Sequence, residues 1–200
     1  METQTPKRGT GPLLLVILIP LVLVAVVLVA RPSDYTLHAA MRGAAMLGYM
    51  YVFLACLSSA FLQDMNRYFG RPYLRVHHLL ATMGLTLISI HGLTVAWDSR
   101  SAAVFLPRFD SVEGFLLWGG PPAYILIWIA VIAAAMRLSI GARWRLLHWL
   151  NYIAFMLGTV HALMIGTDFS NSAPGWAATG MALVVIGVFL NKRHRERASS

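Results

Sequence analysis

Charge is what this sequence is shortest of. Only 12% of its 200 residues are Asp, Glu, Lys or Arg, while 58% are hydrophobic. Soluble domains carry roughly a quarter charged residues, so an ordinary water-facing surface is excluded and a lipid-facing one is expected. Cysteine is nearly absent too. The lone Cys56 lies within an apolar run, which excludes a disulfide, a Cys-built iron–sulfur cluster and the CxxCH motif of covalent haem attachment. Cys56 itself reads as small filler in a core or against lipid. Room is also scarce: six spans of ~20 apolar residues each consume most of the chain. A soluble catalytic domain of ~100 residues does not fit beside them.

Acidic residues number 8 against 16 basic ones, giving a net charge of +8. Such an excess raises the question of nucleic acid. Here the cations sit between and beyond the apolar runs, as topology signals do, and not on a phosphate-binding face. No nucleic acid is expected.

What is present is a succession of apolar runs at 12–30, 41–63, 76–97, 123–138, 146–165 and 176–190. The first follows Lys7 and Arg8 as a signal peptide would, but it exceeds the ~7–15 apolar residues usual there and reads as a retained helix. A polar stretch, 98–122, separates the third run from the fourth and contains the apolar patch Phe115-Leu116-Leu117-Trp118. With the N-terminus inside, twelve cations fall on the cytoplasmic side, including Lys7, Arg8, Arg67, Arg71 and Arg75. Only Arg31, Arg42, Arg100 and Arg108 fall outside. That asymmetry follows the positive-inside rule. The expected fold is all-α: a polytopic bundle of six transmembrane helices with both termini cytoplasmic. Residues 1–11 form a cytoplasmic N-terminus, 12–190 the membrane domain and 191–200 a basic cytoplasmic tail.

Titratable groups inside a bilayer are expensive and mark function. Four of the seven histidines form a pattern. His77 and His91 are 14 residues apart on the third helix, and His148 and His161 are 13 apart on the fifth. Both helices run outward, so His77 and His148 lie at one depth near the cytoplasm, and His91 and His161 at another near the outside. Fourteen residues rise about 21 Å and nearly complete four turns, which places His77 and His91 on one face. Two matched helices then offer two sites, each with an imidazole from either side, as a six-coordinate haem iron requires. The 13-residue step fits less well: at ~100° per residue His161 stops about 140° short of the face of His148. Gly84, seven residues from both His77 and His91, would leave clearance for porphyrins; Gly158 has a comparable place on the fifth helix. Close packing of helices on small residues is the alternative for both.

Arg75, Arg143 and Arg145 flank the inner pair as candidate propionate partners, with Arg100 and Arg108 available outside. Topology and lipid headgroups explain any one of them equally simply. Phe155 and Met156 lie between the two depths. His78 points ~100° from His77 and reads as interfacial, as does His38. His194 belongs to the solvated tail. Asp110 and Glu113 in the 98–122 stretch are available to an outer metal cation, or are plain loop acids.

The segments Arg75-Val76-His77-His78-Leu79-Leu80 and His91-Gly92, with Trp144-Arg145-Leu146-Leu147-His148-Trp149-Leu150-Asn151-Tyr152 and His161-Ala162-Leu163, resemble the ferric reductase-like transmembrane domain. That family includes the membrane parts of ferric reductases and NADPH oxidases, and MsrQ, the haem-binding subunit of the bacterial methionine sulfoxide reductase system. The resemblance covers residues 38–190. It implies two b-type haems, the inner on His77 and His148 and the outer on His91 and His161, in a bacterial or archaeal plasma membrane. Full-length relatives append FAD- and NAD(P)H-binding domains. No glycine-rich dinucleotide fingerprint occurs here, so a separate donor is expected, a flavoprotein or membrane quinol. The outer acceptor is then ferric iron, oxygen or, in an MsrQ-like arrangement, a periplasmic reductase. From another class, a non-redox transporter or assembly factor would use the same histidines as proton or metal sites.

Overall fold

The apolar runs fold as helices because backbone in lipid must satisfy its N–H and C=O groups within its own segment. The computed structural model describes residues 10–58, 73–170 and 172–198. Lys7 and Arg8, the end of the second apolar run, the turn carrying Arg67 and Arg71, and the last two residues lie outside the described residues. The structure is 86% helix, with no strand among the described residues. It divides into two units, Met1–His91 and Gly92–Ser200.

The first unit holds α1 (Thr10–Ala30), α2 (Thr36–Ser58) and most of α3 (Tyr73–Asp98). α1 is apolar on every side, and Leu15, Val22, Val26 and Val29 are exposed along it, as a lipid-facing helix should be. Pro20 interrupts its hydrogen-bond ladder, since proline lacks the N–H that would close onto the carbonyl one turn back. Beside that gap the fully buried Tyr51 of α2 donates its hydroxyl to the Ile17 carbonyl at 2.9 Å. Tyr51, Ala55, Val76 and Leu80 form the core between α2 and α3, with Leu13 and Val16 of α1 packed on it. Tyr51→Phe removes that donor while keeping the ring. It should cost about 1 kcal/mol, read as a lowered unfolding midpoint in detergent; an unchanged midpoint would exclude this support for α1.

The second unit begins with a 3₁₀ turn, Ala102–Phe105, and the short α4 (Val112–Leu117), whose N-cap Ser111 accepts from Gly114 N at 2.9 Å. Then come α5 (Gly120–Ala135), α6 (Arg137–Ile140), a 3₁₀ turn at Gly141–Arg143, α7 (Trp144–His148), α8 (Leu150–Ile165) and α9 (Ala173–Ala198). Gly141, at φ +60° and ψ −148°, occupies backbone space essentially reserved for glycine. α5 lies along α7 and α8, and α4 and α9 pack on α8. Arg193 of α9 sits 4.4 Å over the Trp149 ring, and Phe189 touches both Trp149 and Tyr152.

Five segments are long and apolar enough to cross a membrane: Leu13–Ala30, Thr36–Ser58, Leu74–Asp98, Arg137–Ile165 and Ala173–Asn191. The expected fourth span is displaced and short. It begins at Gly120, because Pro121 and Pro122 suit a first helical turn, and it stops at Ala135. Its sixteen residues rise about 24 Å, less than the ~30 Å hydrocarbon core. The expected fifth helix is also not continuous. It breaks at Trp149 into α7 and α8, where Tyr152 N bonds back to the Trp149 carbonyl three residues earlier. α9 runs past the expected end at 190, since the following Lys, Arg and Glu residues are good helix formers.

Candidate functional site

In the first unit α3 presents His77, Gly84 and His91 to α2 at seven-residue steps. His77 Nδ1 lies 3.1 Å from the Ala55 carbonyl and His91 Nδ1 3.1 Å from the Met41 carbonyl. The acceptors are 14 residues apart, as the donors are, so an antiparallel neighbour meets both imidazoles in one register. Midway between them the helices touch backbone to backbone. A Cβ on Gly84 would lie 2.8 Å from Val52 Cγ2 and 3.0 Å from Val52 N; one on Gly48 would lie 2.8 Å from Ile88 Cγ1 and 3.0 Å from Ile88 N. A Cβ on Gly84 thus meets α2, as the helix-packing alternative has it. The crossing brings α2 carbonyls within imidazole reach above and below.

The second unit repeats the device with different elements. His148, at the end of α7, has Nδ1 3.2 Å from the Ala130 carbonyl of α5. His161 of α8 has Nδ1 3.0 Å from the Leu117 carbonyl, in the last turn of α4. Carbonyls in a last turn lack an intrahelical partner, so this one gains what the helix does not supply. These acceptors are 13 residues apart, again matching their donors. Between the two histidines Trp149 keeps right-handed helical backbone, at φ −66° and ψ −18°.

All four acceptors are carbonyls, which can only accept. The tautomer that makes each of these hydrogen bonds carries its proton on Nδ1 and its lone pair on Nε2; at His148 the Asn151 amide nitrogen also lies within reach of the ring. A metal-ligating histidine shows this arrangement: the second nitrogen donates to a carbonyl, fixing tautomer and ring orientation. All four imidazoles are partly buried. Their donor chemistry fits axial ligation of a haem iron, which asks for one imidazole nitrogen on each face. Among the described residues no three His, Cys, Asp or Glu side chains gather where they could hold a bare metal ion.

Other expected residues fall into place around these. Arg75 is exposed in the first turn of α3, Arg143 is exposed just before α7, and Arg145 is exposed with its guanidinium 6.0 Å from the Trp144 ring centroid. Trp144 in turn neighbours the His148 ring at 5.6 Å. Arg108 covers the Trp118 ring at 4.4 Å, and Arg100 lies in the turn just past α3 at a positive φ of 52°. Asp110 and Glu113 are exposed. His38 stacks on Tyr35, while His78 and His194 are exposed. Phe155 is buried in α8, with Met156 partly so. A Cβ on Gly158 would meet nothing within 4 Å, so that face of α8 is open.

Four features were not visible in the histidine spacing. The carbonyl partners belong to Met41, Ala55, Leu117 and Ala130, whose side chains announce nothing. Ser58 places its hydroxyl 3.0 Å from His77 Nδ1; its one sequence signal is a small polar residue three positions after Ala55. Gly120 supports the His161 ring, since a Cβ there would lie 2.9 Å from Nε2. The run Gly119-Gly120-Pro121-Pro122 is its trace in the sequence. Near His148, the Asn151 amide nitrogen lies 3.3 Å from Nδ1 and 3.5 Å from Nε2.

A family model described as ferric reductase like transmembrane component matches residues 39–159. The match takes in His77, His91 and His148 and stops two residues before His161. No curated protein and no solved structure matches the chain.

Proposed function

We propose, on the premise that this chain belongs to the ferric reductase like transmembrane component family, that it is a two-haem b-type cytochrome carrying electrons across the membrane. The five apolar helices and the family together make the chain an integral membrane protein, and the family points to membrane electron transfer. The finer reading is supported by one observation: each of the four histidines has Nδ1 beside a backbone carbonyl, the placement that orients an imidazole for ligation through Nε2. His77 and His148, equal in depth by sequence, would hold the inner haem, and His91 and His161 the outer. Six spans with both termini cytoplasmic complete the proposed topology.

Bound haem iron supplies one-electron oxidation and reduction. The chain's own part is to hold four neutral imidazoles in fixed tautomers, to keep their surroundings apolar and to set their separation. Arg75 and Arg145, at the inner ends of their helices, are free to turn toward propionates at that surface. The donor is a flavoprotein or quinol on the inner side; the acceptor lies outside. A bare metal site is less favoured, because a zinc-like ion takes three or four protein donors and no such group gathers among the described residues.

Reduced-minus-oxidised absorption spectra of the purified full chain test the reading. Wild type should show b-type haem bands. His91→Ala should lose one haem of the two and keep its helical circular dichroism. A colourless wild type, or an unaltered haem-to-protein ratio in the variant, would refute the assignment.

A further inference from the structure

We infer that Ser58 is a positioning residue which holds the His77-bound haem at a lower potential than a backbone carbonyl alone would set, an inference that rests on the two-haem reading. Ser58 is the last described residue of α2 and is 1% exposed. Its hydroxyl donates to the Ala55 carbonyl at 2.7 Å, which leaves its lone pairs for His77 Nδ1–H, 3.0 Å away. The same N–H lies 3.1 Å from the Ala55 carbonyl. Three groups thus form a closed triangle: the imidazole N–H shared between two oxygens, one of which donates to the other.

Two physical effects act in one direction. A hydroxyl that donates is polarised into a better acceptor, and hydrogen bonds in a low-dielectric interior reinforce one another. A second acceptor on Nδ1–H then draws the proton further from the ring and makes Nε2 more electron-rich, the way outer partners raise ligand basicity. An electron-rich ligand favours ferric over ferrous iron, which lowers the potential. A lowered potential on the inner side makes onward transfer to the outer haem more favourable, so Ser58 adds a direction to what the histidines alone make only a path.

Potentiometry on the purified holoprotein, read at the haem absorption band, tests this. Ser58→Ala should keep both haems and move one of the two components to more positive potential, leaving the other in place. Ser58→Thr retains the hydroxyl and should restore the wild-type value. In the His91→Ala background the remaining haem should show the same positive shift on adding Ser58→Ala, which identifies it as the inner one. Should Ser58→Ala not assemble, Ser58→Cys keeps the volume with a weaker acceptor and should give a smaller shift of the same sign. Unmoved components, both moving together, or a shift to more negative values would overturn the role of Ser58 while leaving the two-haem reading intact. A protein without haem in wild type would overturn both.

Discussion

Gly84→Leu is expected to destabilise the protein by about 3 kcal/mol, the upper end of what overpacking usually costs, and to reduce haem loading at both sites. The reason is the crossing of α2 and α3. A Cβ at position 84 already lies 3.0 Å from the backbone nitrogen of Val52, and backbone cannot move aside as a flexible side chain can. Leucine must push the helices apart. The carbonyls of Ala55 and Met41 then recede from His77 and His91 together, because the crossing sits midway between the two contacts. Denaturation of the detergent-solubilised variant and its haem-to-protein ratio provide the check. Wild-type stability in Gly84→Leu would show that the glycine contact does not hold these helices. Gly84→Ala should fall between, since Val52 Cγ2 can yield but Val52 N cannot.

Gly120→Val should strip the outer haem and spare the inner one. The added Cβ would lie 2.9 Å from His161 Nε2 and 3.1–3.2 Å from the neighbouring ring carbons, and an aromatic ring cannot compress. The imidazole must swing off the Leu117 carbonyl, losing the proton placement that makes Nε2 a ligand. Overpacking in a close-packed interior is felt even at the level of one methylene. Haem quantitation on the purified variant would decide it: retention of both haems would mean that His161 tolerates displacement. Preserved circular dichroism would separate this local effect from misfolding.

Much of this was legible in the sequence, and the reasons differ by feature. Long helices follow from apolar runs because lipid leaves the backbone few choices. The histidine spacings stood out because intramembrane imidazoles are few. The hydrogen-bond acceptors behind the histidines were not legible, since backbone carbonyls carry no residue signature; nothing in the letters Met41 or Leu117 marks an acceptor. Gly84 was noticed for its spacing, and a Cβ there would meet α2. A seven-residue interval fixes a face of α3, but it does not say whether that face meets a cofactor or another helix. The irregular turn at Trp149 was hidden for a similar reason: no proline or glycine marks it. The basic tail read as solvated because of its charge, though charged residues propagate a helix well, and α9 continues through it.

The order of the hydrogen-bond partners along the chain bears on how such a protein is made. Met41 and Ala55 are synthesised before His77 and His91, and Leu117 and Ala130 before His148 and His161. Each imidazole therefore leaves the ribosome after the carbonyl that will receive it, and each half of the protein can pair its own donors with its own acceptors. A polar ring abandoned in hydrocarbon would cost several kcal/mol, a serious obstacle for a nascent hairpin awaiting a cofactor. With the acceptor already threaded into the bilayer, half of each ring's polarity is satisfied at insertion.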